Sequence, residues 1–317
     1  MDKKNDPEVS VVIASHRKML IVDCIDSLLK QDTDTESYEI IIVADYNIDE
    51  LCSLYPSIKW VYFDNRSISA KRNIGISYSS AEIIAFIDDD CRASSDWIKN
   101  GLSFLKSNPQ IGAVEGKTTI ENVKTDNGIH REYRRLENQG FMTNNVFYRK
   151  EILNEAGGFD ERFTLQREDI DLAFTVIKNG YRFAYNENIK VEHKFRDWEK
   201  WDLLKNCINR RFDPLLFRKH PSEYRKFIRS PFPASIILLL LLHCAALLSI
   251  FTYYKIIRVM IFTDIAVVLY FSLKRTGFQV FKPKRFLYEF TNVILAPFIL
   301  ALALIYGSIK FRKQLFF

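Results

Sequence analysis

Four short runs in the first ninety residues are dominated by β-branched, aliphatic and aromatic side chains: "VSVVIA" (9–14), "YEIIIVAD" (38–45), "IKWVYF" (58–63) and "EIIAFID" (82–88). A strand with one face in water alternates apolar and polar residues. These runs are apolar at successive positions, so each needs cover on both faces. Helix-period stretches, "MLIVDCIDSLLKQ" (19–31) and "SISAKRNIGISYSS" (67–80), lie between them. Strands alternating with helices imply βαβ units and hence an α/β fold, a mostly parallel sheet with helices on both faces. Such sheets bind ligands in the crevice beyond the carboxyl ends of their strands.

That edge gathers acid. Asp45 closes the second run, and Asp88, Asp89 and Asp90 close the fourth. A single aspartate after a strand is commonly a turn or cap residue. Three in succession repel one another and call for a cation between them. A hard divalent ion, Mg²⁺ or Mn²⁺, takes oxygen ligands and keeps open positions that phosphate oxygens can fill. The triplet then makes one half of a clamp and a nucleotide diphosphate the other, with the charge of the departing diphosphate neutralised. Lys71 and Arg72, in "AKRNIG", stand upstream, either to meet phosphate or as a solvated helix face.

The chain of 317 residues divides by composition: residues 1–230 carry most of the charge, and 231–317 hold long apolar runs. Its five cysteines are scattered, without a CxxC pair or a Cys/His cluster, which fits a reducing compartment. The polar start "MDKKNDPEVS" leads straight into the first strand run without a signal-peptide pattern, so the first domain is expected in the cytoplasm. Of the formal charge of +6, much falls in residues 194–229, where eleven Lys or Arg face five Asp or Glu among interleaved aromatics. Because an apolar run follows, an interfacial segment beside anionic lipid is the reading preferred over nucleic acid.

"FPASIILLLLLHCAALLSIF" (232–251) has no charged residue and about the ~20 residues a membrane helix needs. Further spans are expected at 256–273, interrupted by Asp264, and 286–309, interrupted by Glu289 and Pro297. Lys274, Arg275, Lys282, Lys284 and Arg285 place the connecting loop on the cytoplasmic side. Three complete spans then put the tail, with Lys310, Arg312 and Lys313, outside against the same rule, whereas a re-entrant segment keeps it inside. The expected organisation is residues 1–195 as the catalytic domain, 196–230 as interfacial linker helices and 231–317 as a membrane region.

"VSVVIASHRK", "IIIVADYNID", "SISAKRNIGI", "IIAFIDDDCRASSDW", "TNNVFYRKEILNEAGGFDERF" and "REDIDLAFTVIKNGYRFAY" stand in an order and spacing that resembles the family-2 glycosyltransferases, which have the Rossmann-like GT-A fold. The likeness covers roughly residues 8–195. It implies an inverting, metal-dependent transfer from a nucleotide-diphosphate sugar, UDP-sugars favoured. Residue by residue, it implies that Asp45 reads the nucleobase and Arg72 lies near the base or phosphates. Asp88 and Asp90 match the outer residues of the DxD element as metal ligands, and Asp89 faces the donor sugar or ribose. Asp169, in "REDIDL", matches the catalytic base, with Glu168 orienting the acceptor. A base opposite the leaving group contributes about 10² to 10⁴-fold; the alternative is that both acids merely suit a helix amino terminus. His193 is either a ligand of the metal or diphosphate or a structural histidine, and His16 borders the nucleotide.

In "GGFDE" (157–161) two glycines give a tight backbone path, and Asp160 and Glu161 fix a loop. Ala44 and Ser95 depart from the family's acid and proline. The QxxRW element of processive synthases is missing from "NCINRRFDPLL", which argues against processive synthesis. The acceptor expected is a lipid-linked saccharide or surface-glycan precursor at the cytoplasmic face of the cell membrane, met by an interfacial surface containing Trp198, Trp201 and Phe212. Residues 118–140 are expected to form a lid that orders on donor binding. Two rival readings remain: a polyprenyl-phosphate monosaccharide synthase, and a non-catalytic membrane scaffold that keeps the fold.

Overall fold

The first apolar run becomes β1 (Val9–Ser15), with every side chain buried. In the computed structural model, residues 6–121, 134–195, 199–251, 254–277 and 283–312 are described. They form two units, residues 6–121 with 134–195, and residues 199–312.

In the first unit β1 is followed by α1 (Ile21–Leu28), β2 (Tyr38–Ala44), α2 (Asp49–Leu54), β3 (Lys59–Tyr62), α3 (Ile68–Tyr78) and β4 (Ile83–Ile87). Then come β5 (Cys91–Ala93), α4 (Trp97–Ser107), β6 (Ile111–Ile120), β7 (Asn145–Arg149), α5 (Lys150–Ala156), α6 (Glu168–Lys178) and β8 (Arg182–His193). All eight strands share one sheet in the order β3-β2-β1-β4-β7-β6-β8-β5. The four runs read from the sequence pair in parallel, β3 on β2, β2 on β1 and β1 on β4. Beyond β4 the sheet is mixed, because β7 runs antiparallel to both β4 and β6, while β6 and β8 are parallel.

Two cores explain why β1, β2 and β4 are so apolar, while β3, at the sheet edge, is exposed at Lys59 and Tyr62 and lacks the cover on both faces expected of it. Val9, Val11 and Ile13 with Ile83, Ala85 and Ile87 pack against α1 and α4 through Ile21, Cys24, Ile25, Leu28, Trp97 and Leu105. The intervening Val12, Ile84 and Phe86 pack against Ile76, Ile152, Leu153, Leu172 and Val176 of α3, α5 and α6. Each such buried aliphatic side chain contributes roughly 1.5–3 kcal/mol. Asn145 cross-ties the sheet by accepting from Trp97 Nε1 (2.8 Å) and donating to the carbonyls of Lys117 (3.1 Å) and Ile189 (3.0 Å).

The second unit holds α7 (Asp202–Asn209), α8 (Asp213–Lys219), α9 (Ala234–Ser249), α10 (Tyr254–Arg275) and α11 (Pro283–Lys310). Ile256–Arg275 (20 residues, mean hydropathy 2.0) and Pro283–Lys310 (28 residues, mean hydropathy 2.1) are long and apolar enough to cross a membrane. The run at 232–251 yields a helix of only 16 residues, about 24 Å long at ~1.5 Å per residue and short of the ~30 Å hydrocarbon core. Pro233, extended at ψ 143°, delays its start, and it ends at Ser249. Trp201 is exposed and meets Tyr288 edge-on at 5.2 Å. Phe212, expected at the interface, is instead a core residue at 2% exposure; Trp198 lies outside the described residues, as do Lys282 and Lys313.

Candidate active site

The site is built where α3 lies hard against β1. A methyl group on Gly75 would stand 2.3 Å from Val12 Cγ1, so only glycine lets the helix approach this closely. Ser67 caps the helix, its Oγ accepting from the Ala70 N–H at 3.3 Å. The first turn then carries Lys71 and Arg72 under the carboxyl edge of the sheet. Lys71, fully buried, donates to the Ser15 carbonyl (2.7 Å) and pairs with Asp45 Oδ2 at 3.2 Å. Burial pulls its ammonium below the ordinary lysine value, against the pull of Asp45. Lys71 thus fixes Asp45 to the end of β1, and in this geometry its ammonium faces those two partners.

The three successive carboxylates after β4 point three ways. Asp88 accepts from Arg72 Nη2 at 3.0 Å and remains partly open. Asp89 turns back to the loop after β1, its Oδ2 accepting from Ser15 Oγ (3.0 Å), His16 N–H (3.0 Å) and Arg17 N–H (3.1 Å). Its Oδ1 meets Arg17 Nη2 at 3.1 Å, so this carboxylate holds the loop after β1. Asp90 meets Arg17 Nη1 through Oδ2 at 2.5 Å and His193 Nε2 through Oδ1 at 3.4 Å. His16 is exposed at the same edge.

Arg72 carries the geometry across the crevice. Its Nη1 donates to Glu168 Oε1 at 3.0 Å, its guanidinium carbon stands 5.4 Å from the centre of the Phe159 ring, and it is buried. One side chain therefore joins the end of β4 to the start of α6. That start is reached through Arg167 in the left-handed region (φ 78°), a conformation that costs a non-glycine residue energy and recurs at functional sites. Glu168 is buried, and its Oε2 has no hydrogen-bond partner among the described residues. Asp169 follows at the helix amino terminus, accepting from the Ile170 N–H at 2.7 Å. Burial first, then the neighbouring Glu168 charge, push its carboxyl up to about 7.

Asp90, Cys91 and His193 are buried and bring possible ligand atoms within 4.8 Å of one another. His193 Nδ1 lies 2.8 Å from the Lys194 carbonyl, which can only accept, so Nδ1 carries the proton. Nε2 faces Asp90 Oδ1 at 3.4 Å, and an imidazole nitrogen beside a carboxylate oxygen is a pairing that suits a divalent cation. Burial first and the charges of Asp88 and Asp90 second push the Cys91 thiol well above its ordinary value. Of the metal ligands expected from sequence, Asp90 and His193 stand side by side, while Asp88 is turned to Arg72.

Around this centre the loops are pinned. The "GGFDE" glycines both take positive φ (77° and 70°), ending α5, while Asn73 Nδ2 donates to the Phe159 carbonyl at 2.9 Å and to Glu161 at 3.0 Å. Asp160 pairs with Arg162 at 2.6 Å. Of the expected lid, residues 122–133 lie outside the described residues. Its carboxyl-terminal flank is held by buried Glu115, which accepts from the N–H groups of Gly140 (3.2 Å), Phe141 (3.0 Å) and Met142 (3.1 Å). Glu115 and Arg17 escaped the sequence reading; for Arg17, its position directly after the first strand, beside His16, was the available signal.

Residues 10–170 match the family described as glycosyl transferase family 2. A glucosyl-dolichyl phosphate glucuronosyltransferase of Haloferax volcanii is 25% identical over 250 residues, which cover 69% of this chain and 76% of that one. Glycosyltransferase AglE of the same organism is 24% identical over 207 residues, covering 60% and 68%. Among solved structures, the mannosyltransferase PcManGT from Pyrobaculum calidifontis, in complex with GDP-Man and Mn²⁺, has a TM-score of 0.63 at 16% identity, covering 95% of this chain and 88% of that one. The mixed α/β sheet is thus GT-A-like. The chain is a glycosyltransferase and belongs to glycosyl transferase family 2.

Proposed function

We propose that this enzyme transfers a sugar, with inversion, from a nucleotide-diphosphate sugar to a lipid-linked saccharide or surface-glycan precursor. The observation that carries the reading is the single guanidinium of Arg72, 3.0 Å from both Asp88 and Glu168, which puts the acidic strand end and the carboxyls of α6 at one crevice. Asp169 is the base: a carboxyl poised at about 7 takes the acceptor hydroxyl proton near neutral pH as the new bond forms. Glu168 Oε2, buried and without a donor, accepts a hydrogen bond from the acceptor and orients it. Asp45, held by Lys71, borders the nucleobase with His16, and Asp88 with Arg72 borders the phosphates. Asp90 and His193 would hold Mg²⁺ or Mn²⁺, which when bound supplies charge to a leaving diphosphate. The Mn²⁺ in the PcManGT complex and the GDP-Man bound there support a metal and a nucleotide sugar; uridine remains the base expected here.

The lipid acceptor draws support from the name of the Haloferax glucuronosyltransferase and from α10 and α11. Exposed Leu287, Leu302, Ile309 and Phe262 along these helices suit lipid contact. With Lys274, Arg275, Lys284 and Arg285 between them, both cross the membrane with their joining loop in the cytoplasm, the compartment also read for the catalytic domain of residues 1–195. Residues 196–230 lie at the interface, and 231–317 form the membrane region.

A thermal-shift screen of UDP- and GDP-sugars with and without MnCl₂ tests the donor reading, because a ligand bound only by the folded protein raises its stability. Metal-dependent stabilisation by one donor class is expected. None from any donor favours the scaffold. Chromatography of the lipid product separates an extended lipid-linked saccharide from a polyprenyl-phosphate monosaccharide.

A further inference from the structure

The crevice contains a guanidinium to which the mechanism above gives no task. Arg17, in the loop after β1, spans two carboxylates, with Nη2 3.1 Å from Asp89 Oδ1 and Nη1 2.5 Å from Asp90 Oδ2, and its side chain is 23% exposed. Its Nε–H is buried and has no hydrogen-bond partner among the described residues. An arginine clasps two oxygens of one phosphate or carboxylate through a planar fork of parallel N–H groups. Here the fork is split between two acids and one of its donors is idle, so this is not the arrangement that satisfies it best.

Asp89 does not depend on this contact. The hydroxyl of Ser15 and the backbone N–H groups of His16 and Arg17 already hold it, and none of these is the Arg17 side chain. Asp90 is different, because it is the carboxylate that faces His193 Nε2. A guanidinium at 2.5 Å and a divalent ion cannot share that carboxylate without mutual repulsion. Entry of the ion therefore releases Nη1 at the mouth of the crevice, where the nucleotide's phosphates arrive.

We propose that Arg17 is a donor-binding residue: its guanidinium, which here lies against Asp90, moves to the diphosphate oxygens when a divalent ion takes Asp90. This rests on Asp90 and His193 as the metal-holding pair. Its consequence is that metal and nucleotide strengthen each other's binding, with Arg17 as part of the coupling.

Electron paramagnetic resonance counts free Mn²⁺ and so measures metal affinity without any turnover. The full chain is titrated with MnCl₂ alone and with UDP or GDP, as wild type, Arg17→Gln, Arg17→Lys and Asp90→Asn. Removing a like charge beside the ion is expected to make Arg17→Gln bind Mn²⁺ alone about tenfold tighter. The same variant is expected to bind the diphosphate in saturating Mn²⁺ about tenfold more weakly, having lost a charge-assisted contact. Arg17→Lys should recover only part of the second effect, as a single ammonium lacks the fork. Both affinities falling together in Arg17→Gln would mark a structural clamp and overturn the proposal. Unchanged Mn²⁺ affinity in Arg17→Gln, with binding abolished in Asp90→Asn, overturns it while leaving the metal pair intact. No Mn²⁺ binding by the wild type, with or without either diphosphate, removes the metal pair and this proposal together.

Discussion

Replacing Asp169 by asparagine should make the enzyme inactive and, at alkaline pH, more stable. Its carboxyl is raised from 3.8 to about 7, with burial as the first cause. The folded protein therefore holds this proton more tightly than the unfolded chain does. Its contribution to stability is fully present below 3.8 and is lost as pH rises through about 7. At about 1.4 kcal/mol per pH unit, ionising it in place costs about 4 kcal/mol by pH 8, a figure that belongs to the Glu168–Asp169 pair together. Asparagine keeps the shape and has no proton to lose, so Asp169→Asn should match wild type near pH 4 and melt several degrees higher at pH 8, at about 2–4 °C per kcal/mol. Calorimetry at pH 4, 6 and 8 reads this directly. Wild-type kcat/KM should rise with pH to a plateau above about 7, and on that plateau the variant should lose about 10² to 10⁴-fold in transfer. A melting difference that does not change with pH, or transfer that survives the substitution, refutes the assignment of the base.

Gly75→Ala puts a methyl 2.3 Å from Val12 Cγ1; it should cost about 1–3 kcal/mol in urea unfolding and weaken nucleotide binding by shifting the turn that carries Lys71 and Arg72. A stable Gly75→Ala protein with unchanged donor affinity would show that the close approach is not needed. Arg72→Lys leaves one ammonium for two carboxylates, so it should destabilise the fold by about 1–3 kcal/mol, the cost of a buried partner left unsatisfied, and lower kcat. Steady-state kinetics showing an undisturbed kcat would remove Arg72 from the site.

The parallel half of the sheet was legible because β1, β2 and β4 are buried on both faces, which forces nearly continuous apolar runs, whereas the edge strand β3 is only half-buried; β1 to β4 fall within a residue or two of those runs. The mixed half was less so. β7 reads "NVFYR", too short and too polar to reveal that it runs against β4. The positions of the acids were legible for the same reason as the strands, since a run must end before a charge can follow. Their directions were not, as Asp88, Asp89 and Asp90 face Arg72, the β1 loop and His193 respectively. Neighbours in sequence say nothing of which way a turn swings each carboxylate. Burial of Lys71 likewise depends on Gly75, four residues away, whose significance appears only once Val12 stands beneath it.

Arg72 has one guanidinium and two claimants. A diphosphate drawn to that guanidinium leaves both acids with a smaller share of its positive charge, and so changes how firmly Glu168 can receive an incoming hydroxyl. The end of β4 and the start of α6 are thereby tied to one another, and a change of charge at either is felt at the other through a single side chain.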